Sequence, residues 1–117
     1  MNILIDDERT IFEVRHMIPH ITLDQGFEFD SVVRSFQDAI QMSATITDND
    51  VLFLDHDLGT DEPGIDGHGV IKHLRDACRY PYMVIIVSAN PIGLRNIENV
   101  LINDMGFKKT SERVYSR

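Results

Sequence analysis

Hydrophobic and polar positions along this chain fall into short continuous apolar runs, each closed by acidic or hydroxyl residues and separated by segments with apolar residues at helical spacing. Residues 2–6, NILID, are the first such run, and it stops where Asp6, Asp7 and Glu8 begin. SVVRS at 31–35 reads as a second short strand. VLFLD at 51–55 is the third, apolar on both faces as a buried parallel strand requires. PYMVIIVSAN places a fourth, equally continuous strand at 82–88.

The intervening segments carry helix signals. Ser35 is placed to cap a helix in which Phe36, Ala39, Ile40 and Ala44 share one face. Val70, Ile71, Leu74 and Ala77 recur at helical spacing up to Cys78. Asn90-Pro91 is a good helix start, with Asn90 as N-cap and Pro91 at the first helical position. Leu94, Ile97, Val100 and Leu101 supply its buried stripe, and Gly106 is its stop. TIFEVRHMI has helical spacing too, but Pro19 ends it and Gly26 follows, so residues 8–30 predict a short helix and a long loop.

Strands alternating with helices predict a three-layer α/β sandwich around a parallel sheet of about five strands, one domain over residues 1–117. In such sheets ligands bind at the carboxyl ends of the strands.

Composition narrows the class. The chain has 117 residues, 43% hydrophobic and 26% charged, the balance of a folded globular domain. No apolar run approaches bilayer-spanning length, and MNILIDDERT has neither a basic n-region nor a cleavage site, so a cytoplasmic protein is expected. The one cysteine, Cys78, excludes an internal disulfide, fits a reducing compartment and reads as an inert core thiol. A formal charge of −8 argues against non-specific nucleic-acid or membrane binding. It leaves open a phosphorylated nucleotide or RNA end bound locally through a metal.

The chemistry gathers at the strand ends. Asp55, His56 and Asp57 close the third strand, Asp6 and Asp7 the first, and Ser88 and Asn90 the fourth. Parallel strands put all of these on one edge of the sheet. Neighbouring carboxylates repel by ~1 kcal/mol in water and by more at lower dielectric, so a hard cation such as Mg²⁺ or Mn²⁺ is the natural compensation. The alternative is a set of solvated loop acids that merely end strands.

The order of these residues, with Gly64-Ile65-Asp66-Gly67 before the next helix and Ser88-Ala89 after the fourth strand, resembles the receiver domain of two-component response regulators, with a short insertion at about 60–63. The resemblance implies a flavodoxin-like topology, Mg²⁺ held by Asp6, Asp7 and Asp55, Asp55 as phosphoacceptor, and Ser88 against the phosphoryl group. For the receiver lysine it offers Lys108 or Lys109 of GFKKT. Two departures stand out. His56 and Asp57 follow the acceptor where receivers carry an uncharged residue, and the first and last helices are reduced, because no full helix fits after Lys109. The wording DDER, LDHDLG and VSANP resembles more closely the cyclic-phosphate-processing receiver domains, which implies association with phosphorylated nucleotide or RNA ends.

Two functions follow. One is a receiver-like regulatory module, Mg²⁺-binding, phosphorylated on Asp55 and acting through a partner protein. The other is a metal-dependent phosphoester hydrolase for cyclic or terminal phosphates, with Asp55 as nucleophile and Asp57 or His56 as acid-base groups. A pseudo-receiver that only binds a partner is a third. His56 and His68 flank one glycine-rich loop and with Asp57 offer transition-metal ligands, against the plainer reading of surface histidines.

Overall fold

The computed structural model describes residues 1–117. Its elements alternate as β1 (Asn2–Ile5), α1 (Ile11–Met17), β2 (Ser31–Val33), α2 (Phe36–Ser43), β3 (Val51–Leu54), α3 (Gly67–Asp76), β4 (Met83–Ile86) and α4 (Pro91–Asn99), and a hairpin of β5 (Lys108–Ser111) and β6 (Val114–Ser116) follows. Val100–Asp104 extend α4 as a π-helical turn, and Gly106 leaves it at φ +74.

Each of the three longer helices starts on a side chain the sequence supplies. Ser35 accepts from the amide of Asp38 at α2, Asp66 from that of Gly69 at α3, and Asn90 from those of Ile92 and Gly93 at α4. Such caps satisfy backbone donors that a helix leaves unpaired and are worth ~1 kcal/mol each. α1 is only 7 residues long, its entry fixed by the Thr10 amide donating to Glu13 Oε1 at 3.3 Å, and a loop runs from it to β2.

The sheet order is β2-β1-β3-β4-β6-β5. The first four strands are parallel and in the flavodoxin-like order, with Ile3, Leu52 and Val84 in register across the centre. To the five parallel strands expected the chain adds a sixth, antiparallel one. β6 runs antiparallel beside β4, and β5 lies outside it. The crossover through α4 leaves β5 running parallel to the first four strands, but a tight turn brings β6 back antiparallel into the gap beside β4 and leaves β5 at the edge.

The larger core lies between the sheet and α2, α3 and α4, where Ile3, Ile5, Leu52, Leu54, Leu74, Ile97 and Phe107 are buried together. Tyr115 of β6 joins it, and its hydroxyl donates to Glu98 Oε2 on α4. The opposite face has only α1 as a helix. There Phe27 and Phe29 of the long loop pack edge-on, ring centroids 5.3 Å apart, with Phe29 5.0 Å from the buried Phe53. His20 ties the same loop to the hairpin, its Nε2 lying 2.7 Å from the carbonyl of Glu112. The loop thus covers a sheet face that one short helix leaves open. No helix is long and apolar enough to cross a membrane.

Cys78 departs from the reading as a core thiol. It is exposed, just past the end of α3, at φ +54. It borders a depression of about 470 Å³ lined by Ile46–Asp48, Cys78–Tyr80 and Arg117. These segments precede β3 and β4 or follow the antiparallel β6, so the depression lies at the amino edge of the sheet, away from the acidic strand ends.

Candidate functional site

The carboxyl edge of the parallel strands assembles the acidic residues. Ligand oxygens of Asp6, Asp7 and Asp55 lie within 4.8 Å of one another. Asp6 follows β1 and is wholly buried, and its Oδ1 accepts from the amides of Glu8 (3.0 Å) and Arg9 (2.9 Å). Asp55 follows β3, anchored by its amide to the carbonyl of Ile5, and is 3% exposed. One of its oxygens, Oδ2, lies 3.0 Å from Arg9 Nη1. The other, Oδ1, is buried with no hydrogen-bond partner. Burial, and then the charge of Asp6, pushes the Asp55 carboxyl up to about 6, with Arg9 pulling the other way.

Close backbone approach builds this corner. The amide of Gly67 donates to the carbonyl of His56 at 2.7 Å, and a Cβ at residue 67 would fall 2.0 Å from the carbonyl oxygen of Asp55. Only glycine lets the start of α3 sit this near the end of β3.

His56 turns away from the carboxylate cluster toward two helix starts. Its Nε2 lies 3.4 Å from Asp66 Oδ2, whose other oxygen caps α3, and its Nδ1 lies 3.1 Å from Asp57 Oδ1. Asn90, the cap of α4, brings Nδ2 to 3.4 Å from the same Nδ1. Both caps therefore hold a helix and a ring at once. The ring is 14% exposed and Asp57 63%, so the acidic neighbour points to solvent while the imidazole is enclosed. His68, one position into α3, has its pKa lowered by burial and by Lys72, with His56 contributing.

Ser88 is buried at the end of β4, its Oγ accepting from the amide of Asn90 at 3.0 Å. Its carbonyl accepts from Arg113 Nη1 at 2.7 Å, and that of Ile86 from the same nitrogen at 3.3 Å. Arg113 is the residue before β6, at φ +66.

The lysines go elsewhere. Lys108 pairs with Ser116, which pairs with Met83 at the start of β4, so Lys108 and Lys109 enter the sheet at its amino end. Lys109 Nζ lies 3.3 Å from Glu98. The cations at the carboxyl edge are Arg9, Arg113 and Arg34, whose Nη1 donates to the carbonyls of Asp6 at 3.2 Å and Arg9 at 2.8 Å.

A family model of the cyclic-phosphate processing receiver domain matches residues 1–103. The chain belongs to that family. The match spans all four parallel strands and every acidic residue of the site, and stops before the hairpin. No curated protein matches the chain significantly.

The donor set of this receiver domain fits a hard divalent cation. Three carboxylates from two strand ends offer oxygen ligands, the preference of Mg²⁺ and Mn²⁺, and the unpartnered Asp55 Oδ1 is a buried oxygen that such an ion would satisfy. Sequence reasoning reached the three acids, His56 and Ser88. It missed the contact of Asp66 with His56, and it missed Arg9 and Arg113.

Proposed function

We propose that this domain binds Mg²⁺ or Mn²⁺ through Asp6, Asp7 and Asp55, accepts a phosphoryl group on Asp55, and relays that state to a partner protein. The observation that carries the reading is the unpartnered, buried Asp55 Oδ1 within the acidic cluster. The cation, when bound, neutralises the carboxylates and polarises a phosphoryl oxygen. The Asp55 carboxylate oxygen that the cation leaves free attacks phosphorus, its lone pair forming the new P–O bond as the donor's bond to phosphorus breaks and the leaving group departs with that pair and takes a proton from solvent. Ser88, at the end of the neighbouring strand, and Arg113 behind it offer donors to the transferred oxygens.

A second reading is hydrolysis of cyclic or terminal phosphates on nucleotides or RNA ends. It is favoured by His56, an enclosed imidazole beside the acceptor with a carboxylate at each nitrogen, and by the description of the family. In that reaction water adds to phosphorus, one ester P–O bond breaks, and the released alkoxide takes up a proton that His56 or Asp57 supplies.

One paired experiment separates the two. Incubation with acetyl phosphate and Mg²⁺ should add the mass of one phosphate to the intact protein, and Asp55→Asn should abolish the gain. Turnover of a 2′,3′-cyclic nucleotide without stable mass gain would instead favour the hydrolase. Neither outcome, across several donors, would leave the partner-binding pseudo-receiver.

A further inference from the structure

A cation belonging to the chain already spans the acidic cluster. Arg9 Nη1 lies 2.9 Å from Asp6 Oδ2 and 3.0 Å from Asp55 Oδ2, so a single guanidinium nitrogen links the ends of β1 and β3. Both carboxylates are essentially inaccessible, with side-chain exposures of 0% and 4%, and the bridge acts at a lower effective dielectric than a surface ion pair. Its tether is short and fixed. The amide of Arg9 donates to Asp6 Oδ1, which pins residue 9 in the turn and leaves only the side chain free to swing. The arginine is 19% exposed, so part of it already meets solvent.

An ion held by Asp6, Asp7 and Asp55 binds oxygens at roughly 2 Å and carries waters around it. The Arg9 guanidinium, at hydrogen-bond distance from Asp6 Oδ2 and Asp55 Oδ2, lies against two of the three carboxylates that would hold the ion and carries the same sign of charge. The two cations exclude one another.

We propose that Arg9 is an internal competitor for the metal: it holds Asp6 and Asp55 together when no ion is bound, swings out when one binds, and so sets the metal concentration at which the site fills. This rests on the reading of Asp6, Asp7 and Asp55 as metal ligands and adds the regulation of that site. The physical logic is that two buried carboxylates repel unless something positive lies between them. Arg9 keeps the pocket assembled at low metal, and the ion must work against that bridge.

The test begins with the unaltered protein, ¹⁵N-labelled on arginine and backbone. Titration with MgCl₂ should move the Arg9 Nε–H signal with the same midpoint as the Asp55 amide. In a second measurement the free-Mn²⁺ signal is followed by electron paramagnetic resonance. Arg9→Gln should bind Mn²⁺ about tenfold more tightly than the wild type, and Arg9→Lys, which keeps the charge but loses the planar fork, should fall between. An Arg9 signal that stays still while the Asp55 amide moves overturns the proposal and leaves the metal reading standing. So does Mn²⁺ affinity that is unchanged or weaker in Arg9→Gln. Should neither protein bind Mn²⁺ or respond to Mg²⁺, the metal reading falls and the competitor with it. If Arg9→Gln does not fold, the wild-type titration decides alone.

Discussion

The ring of His56 lies against the backbone of Gly93, so closely that a Cβ on residue 93 would fall 2.2 Å from the imidazole Cγ. Gly93 belongs to the first turn of α4, and its amide is one of the two that Asn90 caps. The glycine is thus the floor under the imidazole. Gly93→Ala should push the ring out of its place between Asp66 and Asp57 at a folding cost of about 1–3 kcal/mol, because the contact is with a side chain that can rotate. Any cyclic-nucleotide turnover should drop much further than thermal stability does. Equal, small losses in both would show that the ring's position is immaterial to the chemistry.

Gly67 meets a harder obstacle. There the added methyl would collide with the carbonyl of Asp55, a backbone atom that cannot rotate away. Gly67→Ala should cost about 3 kcal/mol or more, the upper end of overpacking penalties. Gly26→Ala, where nothing lies within 4 Å of the new atom, serves as the control and should leave the melting temperature nearly unchanged. A chemical denaturation series on the two variants checks the contrast.

The parallel part of the fold is legible because its signals are local. β1, β3 and β4 are continuous apolar runs, and Ser35 and Asn90 are caps that announce themselves. The hairpin is not legible: every residue of β5 is exposed, and β6 shows only Val114 and Tyr115 as buried, too few for a period to emerge. Lys108 and Lys109 look like a strand-end pair until the register places them level with the start of β4. Asp6, Asp7 and Asp55 are found because strand ends collect on one edge. The roles of Arg9 and Asp66 are missed because each makes a local contact and a distant one, and only the local one leaves a trace. For Arg9 that trace is its spacing of three from Asp6, the reach of a tight turn. For Asp66 it is the cap on Gly69, which says nothing of His56.

If a cation at the end of β4 balances phosphoryl charge, it should be Arg113 rather than Lys109. Arg113 Nη1 reaches the carbonyl of Ser88, whereas Lys109 forms a half-exposed pair with Glu98. Arg113→Gln should slow phosphate incorporation from acetyl phosphate by roughly tenfold or more, since removing one preorganised donor weakens the transition state. Lys109→Ala should leave that rate alone and change stability by less than about 1 kcal/mol, as exposed ion pairs do. The reverse ranking in time-resolved intact-mass measurements would return the role to the lysine.

Asp55 links stability to pH. Its carboxyl titrates at about 6 in the folded protein against an ordinary value of 3.8, because burial and the neighbouring Asp6 disfavour its charge. Between those two values the folded chain keeps a proton that the unfolded chain has lost. The resulting stabilisation is therefore fully present below about pH 4 and is lost as the pH rises through about 6. Without divalent cation near pH 7.5, ionised Asp55 should cost the fold on the order of 3 kcal/mol, because a tenfold change in proton affinity is worth about 1.4 kcal/mol. Asp55→Asn, neutral throughout, should melt several degrees above the wild type near pH 7.5 and close to it near pH 4. Millimolar Mg²⁺ should invert the order near neutrality, since a ligand carboxylate lets the wild type gain stability by mass action while the variant gains little. A variant that melts below the wild type at every pH, with or without Mg²⁺, would mean that Asp55 holds the fold together through its contact with Arg9 instead of being a charge that awaits a cation.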